Sequence, residues 1–107
     1  MVEISKADWK LFRERIGTWQ ERYSDRLNQE YIVLLSGNED PSEKFWALEK
    51  RITEDRKLPG VHLWLEKKNV GRDLVRLLQD DVITEDDLEG LSAPLKEDVI
   101  RMANMDW

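Results

Sequence analysis

The chain has 107 residues, 37% of them charged, a net charge of −6 and no cysteine. That length suits a single helical domain, residues 1–107, with a core of its own. The missing cysteine excludes disulfides, thiolate metal sites and cysteine nucleophiles. No apolar run approaches the roughly 20 residues that cross a bilayer, and no basic-then-apolar leader opens the chain. The expectation is a cytoplasmic protein without a membrane segment. Five Trp, two Tyr and two Phe argue against disorder despite the charge. Most of the tryptophans suit a core, while one or two could serve a binding surface, since the indole joins a large apolar area to an N–H donor.

The stretch from Ser5 to Ser36 reads as one long amphipathic helix. Ser5 and Asp8 have capping-box spacing, and Ile4 and Trp9 flank them as a hydrophobic staple. Trp9, Phe12, Ile16, Trp19, Tyr23, Leu27, Tyr31 and Leu34 then recur every three or four residues, which aligns them on one face. The early spacing has a coiled-coil rhythm that later lengthens to four, so the stripe drifts and packing against several shorter helices fits better than a zipper. Gly17 weakens the helix, and a close approach of another backbone would account for it. Tyr31–Leu35 is apolar on every side and so is expected to be covered all round. Gly37 is the expected left-handed stop.

Asp40-Pro41-Ser42-Glu43 starts a second helix, expected to run to about Lys57, with Phe45, Leu48 and Ile52 as its apolar face and Trp46 on the shoulder. Glu39 and Asp40 at its start and Arg56 and Lys57 at its end complement the helix dipole, and Pro59-Gly60 ends it. A third helix is expected from about Val61 to Gln79, weakened at Gly71, with room for a break near Asn69. Thr84 and Asp87 form another capping box for a helix of a turn or two ending near Gly90, with Ile83 and Leu88 as its staple. Ser92 caps a last helix with Pro94 in its first turn and Leu95, Val99, Met102 and Ala103 inward. The predicted architecture is all-α: a compact bundle of about five helices organised on the long N-terminal one.

Charge is unevenly placed. Residues 1–36 are neutral, 37–60 carry −1, 61–79 carry +2 and 80–107 carry −7. Lys68, Arg72 and Arg76 repeat at helical spacing and make a candidate basic face for nucleic acid, with Arg56, Lys57 and Lys67 near them in sequence; a solvated helix face is the plainer explanation. An acidic chain lacks the overall positive charge that nonspecific backbone binding uses. Asp80, Asp81, Glu85, Asp86, Asp87 and Glu89 form a candidate acidic patch. It reads either as caps and solubility, or as a surface that docks on a basic partner or blocks a nucleic-acid enzyme.

Chemistry-bearing motifs are lacking. His62 is the one histidine and has no second ligand beside it, which excludes an ordinary transition-metal site. Asp80-Asp81-Val-Ile-Thr-Glu-Asp-Asp lacks the alternating oxygens, central Gly and terminal Glu of a calcium loop. There is no phosphate loop and no serine paired with a base. Val82 to Met102 reads as helix-turn-helix, but Lys96 and Arg101 stand against Glu97 and Asp98 where a recognition helix would be basic, so it reads as packing. No catalytic residue, cofactor or metal is expected.

The runs Trp9-Lys-Leu-Phe-Arg-Glu-Arg-Ile-Gly-Thr-Trp-Gln-Glu-Arg-Tyr, Leu27-Asn-Gln-Glu-Tyr-Ile, Pro41-Ser-Glu-Lys-Phe-Trp-Ala-Leu-Glu-Lys-Arg-Ile, Pro59-Gly-Val and Val82-Ile-Thr-Glu-Asp-Asp-Leu-Glu carry a resemblance. Over nearly its whole length the chain resembles small acidic proteins of Gram-positive bacteria, often encoded near mobile elements. Some of these bear a multidrug-transporter label, which a chain without a membrane span does not fit. The resemblance implies no activity and transfers no functional residue.

The functional expectation is therefore a non-enzymatic helical protein acting through a protein partner or through self-association. Candidate contacts are Trp46, Arg51, Trp64 and Trp107. The alternative is a mobile-element regulator of nucleic-acid transactions, acting through the basic face or as an acidic blocker.

Overall fold

Ser5 stops the chain from extending the first helix backwards: its hydroxyl accepts a hydrogen bond from the Asp8 N–H (3.1 Å), as an N-cap should. From there α1 runs Lys6–Leu35, about 45 Å at the usual helical rise. A computed structural model of the chain describes residues 2–105. In it α2 spans Pro41–Asp55, α3 Val70–Gln79 and α4 Ala93–Ala103, with 3-10 turns at Lys67–Asn69 and Glu85–Leu88. Among the described residues there is no strand, and no helix is long and apolar enough to cross a membrane.

The fold has four α-helices rather than about five. The segment capped by Thr84 stays a single 3-10 turn of four residues, because Gly90 turns the chain at φ 95° within two residues of its end. Its Thr84 N–H donates to Asp87 Oδ2 (2.8 Å), as the capping box predicts. The third helix begins at Val70, not at Val61. Val61 ends a turn and residues 62–66 have no regular structure, and a 3-10 turn at Lys67–Asn69 leads into the helix.

The stripe on α1 enters the core as far as Leu27: Phe12, Ile16, Trp19, Tyr23 and Leu27 are buried, together with Ile4. They meet Val70, Leu74 and Leu77 of α3, Val82, Ile83, Leu88 and Leu91 of the connecting segment, and Leu95 and Val99 of α4. Phe12 sits at the centre, with Trp9 stacked on it at 6.5 Å and Trp19 edge-on at 6.1 Å. Met102 and Ala103 are only half-buried.

Two part-buried locks close this bundle. Asp8, instead of folding back onto its own helix end, accepts from the Ser92 N–H (2.8 Å) and the Ser92 hydroxyl (2.6 Å). Ser92 thus precedes α4 without capping it through its side chain. Near the other end of the bundle, Gln20 donates to the Pro59 carbonyl (3.1 Å), and Gly60 lies so close to the Tyr23 ring that a Cβ there would overlap it. These contacts strap the chain between α2 and α3 across α1.

Beyond Leu27 the molecule thins to a two-helix hairpin. Between residues 28 and 69 only Asp55, Pro59 and Gly60 are buried. The molecule measures 52 × 29 × 21 Å with a radius of gyration of 16.4 Å, against about 13 Å for a compact domain of this size. It is elongated rather than compact. The expected all-round cover over Tyr31–Leu35 is only partial: Tyr31 and Leu34 are half-buried, while Ile32, Val33 and Leu35 are exposed. The reason is reach, since α3 and α4 are 10 and 11 residues long and cannot lie along the whole of a 30-residue helix.

Two glycine expectations are also corrected. Nothing lies within 4 Å of a Cβ built on Gly17, so no neighbouring backbone accounts for it. Gly37 is not left-handed; the residues with positive φ are Asp81 and Gly90. α1 ends through Ser36, whose N–H bonds the Ile32 carbonyl (3.0 Å) and whose hydroxyl bonds it again (2.7 Å).

Candidate interaction surfaces

The hairpin is held by a small polar hinge rather than by a core. The Tyr31 hydroxyl donates to Asp55 Oδ2 (2.6 Å). Arg51 pairs with Glu30 (2.9 Å) and stands 3.6 Å from Asp55, with its guanidinium 5.6 Å from the Tyr31 ring centre. Burial of the Tyr31 phenol, reinforced by its bond to the Asp55 carboxylate, pushes its pKa up to about 12. Arg51, read from the sequence as a partner contact, is therefore half-buried and committed to joining α1 and α2.

That hinge uses the face of α2 that turns to α1 and leaves the helix's apolar side open. α2 buries no apolar side chain at all; its single buried residue is Asp55. Phe45 and Ile52, expected inside, are 62% and 45% exposed, and Leu48 is only half-buried. The correction has a geometric cause. α2 meets α1 through Arg51 and Asp55, and Phe45 and Ile52 lie to one side of that line. An open groove of about 220 Å³ runs along this side, lined among others by Asn28, Tyr31, Ile52, Arg56 and Val61. Leu35 follows Asn28 by two helical turns and Ile32 follows it by one, so both extend the same side toward the tip.

Trp46 is exposed and packs edge-on against Phe45 at 5.0 Å. Trp64 is 80% exposed on the segment before α3 and meets His62 edge-on at 5.7 Å. The two indoles are thus on different elements, each with its own aromatic neighbour. Trp107 lies outside the described residues.

The basic candidates do come together. Lys68, Arg72 and Arg76 line one groove of about 620 Å³ whose floor is Val2, Ile4, Gly71, Val75 and Met102. Arg72 bonds the Asn69 side chain (3.0 Å) and Lys68 lies 3.5 Å from Glu66, so both are partly engaged within the chain. Beside them on α3, Asp73 is buried and its Oδ2 has no hydrogen-bond partner among the described residues. Burial raises its pKa, opposed by the charges of Arg72 and Arg76.

Of the acidic candidates only Asp87 has its carboxylate engaged by an arginine among the described residues. Arg15, Arg22 and Arg26 form a stripe along α1 and hold the segment from Asp80 to Glu89. Arg26 donates to the Asp81 carbonyl (2.8 Å). Arg22 grips both Asp87 carboxylate oxygens (2.7 and 3.2 Å) and the Val82 carbonyl (3.1 Å). Arg15 donates to the carbonyls of Asp87 (3.0 Å) and Glu89. The Arg22 bond, helped by Thr84, holds the Asp87 carboxyl below the usual carboxylate range. Asp80, Asp81, Glu85, Asp86 and Glu89 remain exposed. This clamp was hidden in the sequence because the arginines sit in a stretch of zero net charge. Their spacing of seven and four residues is the signal that one face of α1 is basic.

No group of His, Asp and Glu side chains among the described residues could hold a metal ion, and His62 is exposed. Compared with models of protein families, with curated proteins and with solved structures, the chain matches none of them.

Proposed function

We propose that this chain is a non-enzymatic interaction module that binds protein through the open apolar side of its helical hairpin. The observation that carries the reading is α2: a 15-residue amphipathic helix that buries no apolar side chain. Exposed apolar residues scattered singly need no explanation, whereas a contiguous patch does. Phe45 and Trp46 pack edge-on against each other, Ile52 follows Phe45 by two helical turns, and all three are exposed. The polar hinge of Tyr31, Asp55, Arg51 and Glu30 supports the same reading, because it fixes the hairpin's geometry without occupying that side.

The test is retention of protein from a lysate at moderate salt on three immobilised forms: wild type, Phe45→Ser with Ile52→Ser, and Arg72→Glu with Arg76→Glu. The reading expects a stoichiometric band that the hairpin variant loses and the charge-reversed variant keeps. Equal retention by all three would refute it.

A second reading, a regulator of nucleic-acid transactions from a mobile element, draws support from the groove that gathers Lys68, Arg72 and Arg76. It expects binding to nucleic acid that weakens linearly in log–log with salt and that the Arg72→Glu, Arg76→Glu form loses. The acidic-blocker version has less to draw on, because Asp87 is occupied by Arg22 and its cap. It expects loss of a basic enzyme partner when Asp86 and Asp87 are neutralised.

A further inference from the structure

We propose that the groove between α3, the end of α4 and the N-terminal residues is a second docking site, one that takes an acidic amphipathic helix of a partner protein. It is separate from the hairpin side, since none of its lining residues belongs to α1 or α2. It gives to protein the groove from which the nucleic-acid reading draws its support.

The floor of this groove is aliphatic and held in place. Ile4 and Val75 are buried, Val2 and Met102 are half-buried, and Gly71 adds no side chain. The Val2 N–H donates to Asp98 Oδ2 on α4 (3.1 Å), which ties the N-terminal residues across the bundle. Arg101 bonds the other Asp98 oxygen, so that carboxylate is already engaged. The groove therefore stands formed within the single chain.

Its rim is a line of cations. Lys68, Arg72 and Arg76 follow one another at one-turn intervals. Arg76 forms no hydrogen bond or ion pair through its side chain among the described residues, and Arg72 bonds only the neutral Asn69 amide (3.0 Å). Lys68 stands 3.5 Å from Glu66, with both side chains exposed, and such a pair holds weakly. Asp73, between the two arginines in sequence, is buried and adds no carboxylate to the rim.

That combination selects among anionic partners. From Lys68 to Arg76 the rim spans on the order of 12 Å at helical rise, so a single head group, as on a fatty acid, reaches only part of it. A nucleic-acid strand carries enough charge but binds by stacking its bases on aromatic rings, and no aromatic side chain lines this groove. Phosphates on the arginines would leave the aliphatic floor in water, and the net charge of −6 opposes a polyphosphate. An amphipathic helix answers both parts at once. Its apolar stripe covers the floor, and glutamates one turn apart along the stripe's edge meet the rim.

Fluorescence anisotropy on the full chain at about 100 mM salt tests this with a labelled synthetic helix of about 18 residues, five turns long, with Leu along one face and Glu along its edge. The expected dissociation constant is on the order of 10–100 µM, a transient contact. Arg72→Glu with Arg76→Glu should weaken binding at least tenfold, and should bind the same peptide carrying Lys for Glu more tightly than wild type does. Both arginines are exposed, so the wild-type circular dichroism should persist. Replacing the peptide's Leu by Ser should cost at least tenfold, because the floor then stays uncovered. Phe45→Ser with Ile52→Ser should bind as wild type, so loss of either docking site leaves the other standing. No binding at about 500 µM, or binding indifferent to the arginine reversal or to the Leu-to-Ser peptide, overturns the proposal. Tighter binding of dodecanoate or of an oligodeoxythymidine of about 20 nucleotides also overturns it, and the second result assigns the groove to nucleic acid.

Discussion

Asp8 is the residue whose removal should cost most for its size. It lies three residues into a helix where an acidic side chain is usually a solvated dipole partner, yet it is 4% exposed and both carboxylate oxygens are taken by Ser92, 84 positions away. Asp8→Ala deletes two hydrogen bonds to a charged acceptor, those from the Ser92 N–H and hydroxyl at the entry to α4. Hydrogen bonds to charged groups contribute roughly 1.5–3 kcal/mol each, and Ala regains only a few tenths of a kcal/mol in helix propensity. The expected loss is about 3 kcal/mol, a large part of the roughly 5–15 kcal/mol that holds a domain together. At about 4 °C or more per kcal/mol for a domain near this size, the Tm should fall by about 12 °C or more. Asp8→Asn keeps an acceptor for the Ser92 N–H and a donor for its hydroxyl, and should lose only about 1 kcal/mol. Urea denaturation of both variants, of Ser92→Ala and of the Asp8→Ala, Ser92→Ala pair gives the coupling directly, expected at 1 kcal/mol or more in magnitude. The exposed Asp25→Ala serves as the surface control. If Asp8→Ala matched Asp25→Ala within about 0.5 kcal/mol, or the coupling were near zero, the lock between α1 and α4 would not contribute as argued.

Gly17→Ala should raise stability by about 1 kcal/mol, seen as a higher urea midpoint at unchanged m-value, because a Cβ there meets nothing within 4 Å. A loss of stability would mean that the site is more crowded than the structure shows. Asp73→Asn should stabilise at pH 7 but not at about pH 3. Burial raises the native pKa of Asp73, so the native state holds that proton more tightly than the unfolded chain, whose carboxyl titrates near 3.9. Stability from this group is then lost as pH rises through the raised native pKa and stays lost at neutrality. Thermal unfolding at the two pH values checks it, and an equal gain at both would refute the protonation argument.

How much could be read before the fold was known follows from the range of each interaction. Ser5, Pro41, and Thr84 with Asp87 mark the starts of α1, α2 and the last 3-10 turn, because capping acts within about four residues. The three-and-four spacing from Trp9 to Leu27 likewise marked the buried face of α1. The same kind of spacing in Phe45, Leu48 and Ile52 showed that α2 has an apolar side, but a stripe carries no information on what covers it. That was decided by length: the buried side chains of α1 end at Leu27, and α3 and α4 are only 10 and 11 residues long, so the hairpin beyond stays uncovered, and Phe45 and Ile52 turn from core candidates into the candidate surface. Charge behaved in the same way. Net charge by segment revealed the acidity of residues 80–107, but not that Arg15, Arg22 and Arg26, more than 50 positions earlier, hold that segment down. Local chemistry marked the starts of α1, α2 and the 3-10 turn at Glu85 but not that of α3; which helix faces meet water was decided by contacts between residues far apart in the sequence, which only the folded arrangement of the helices creates.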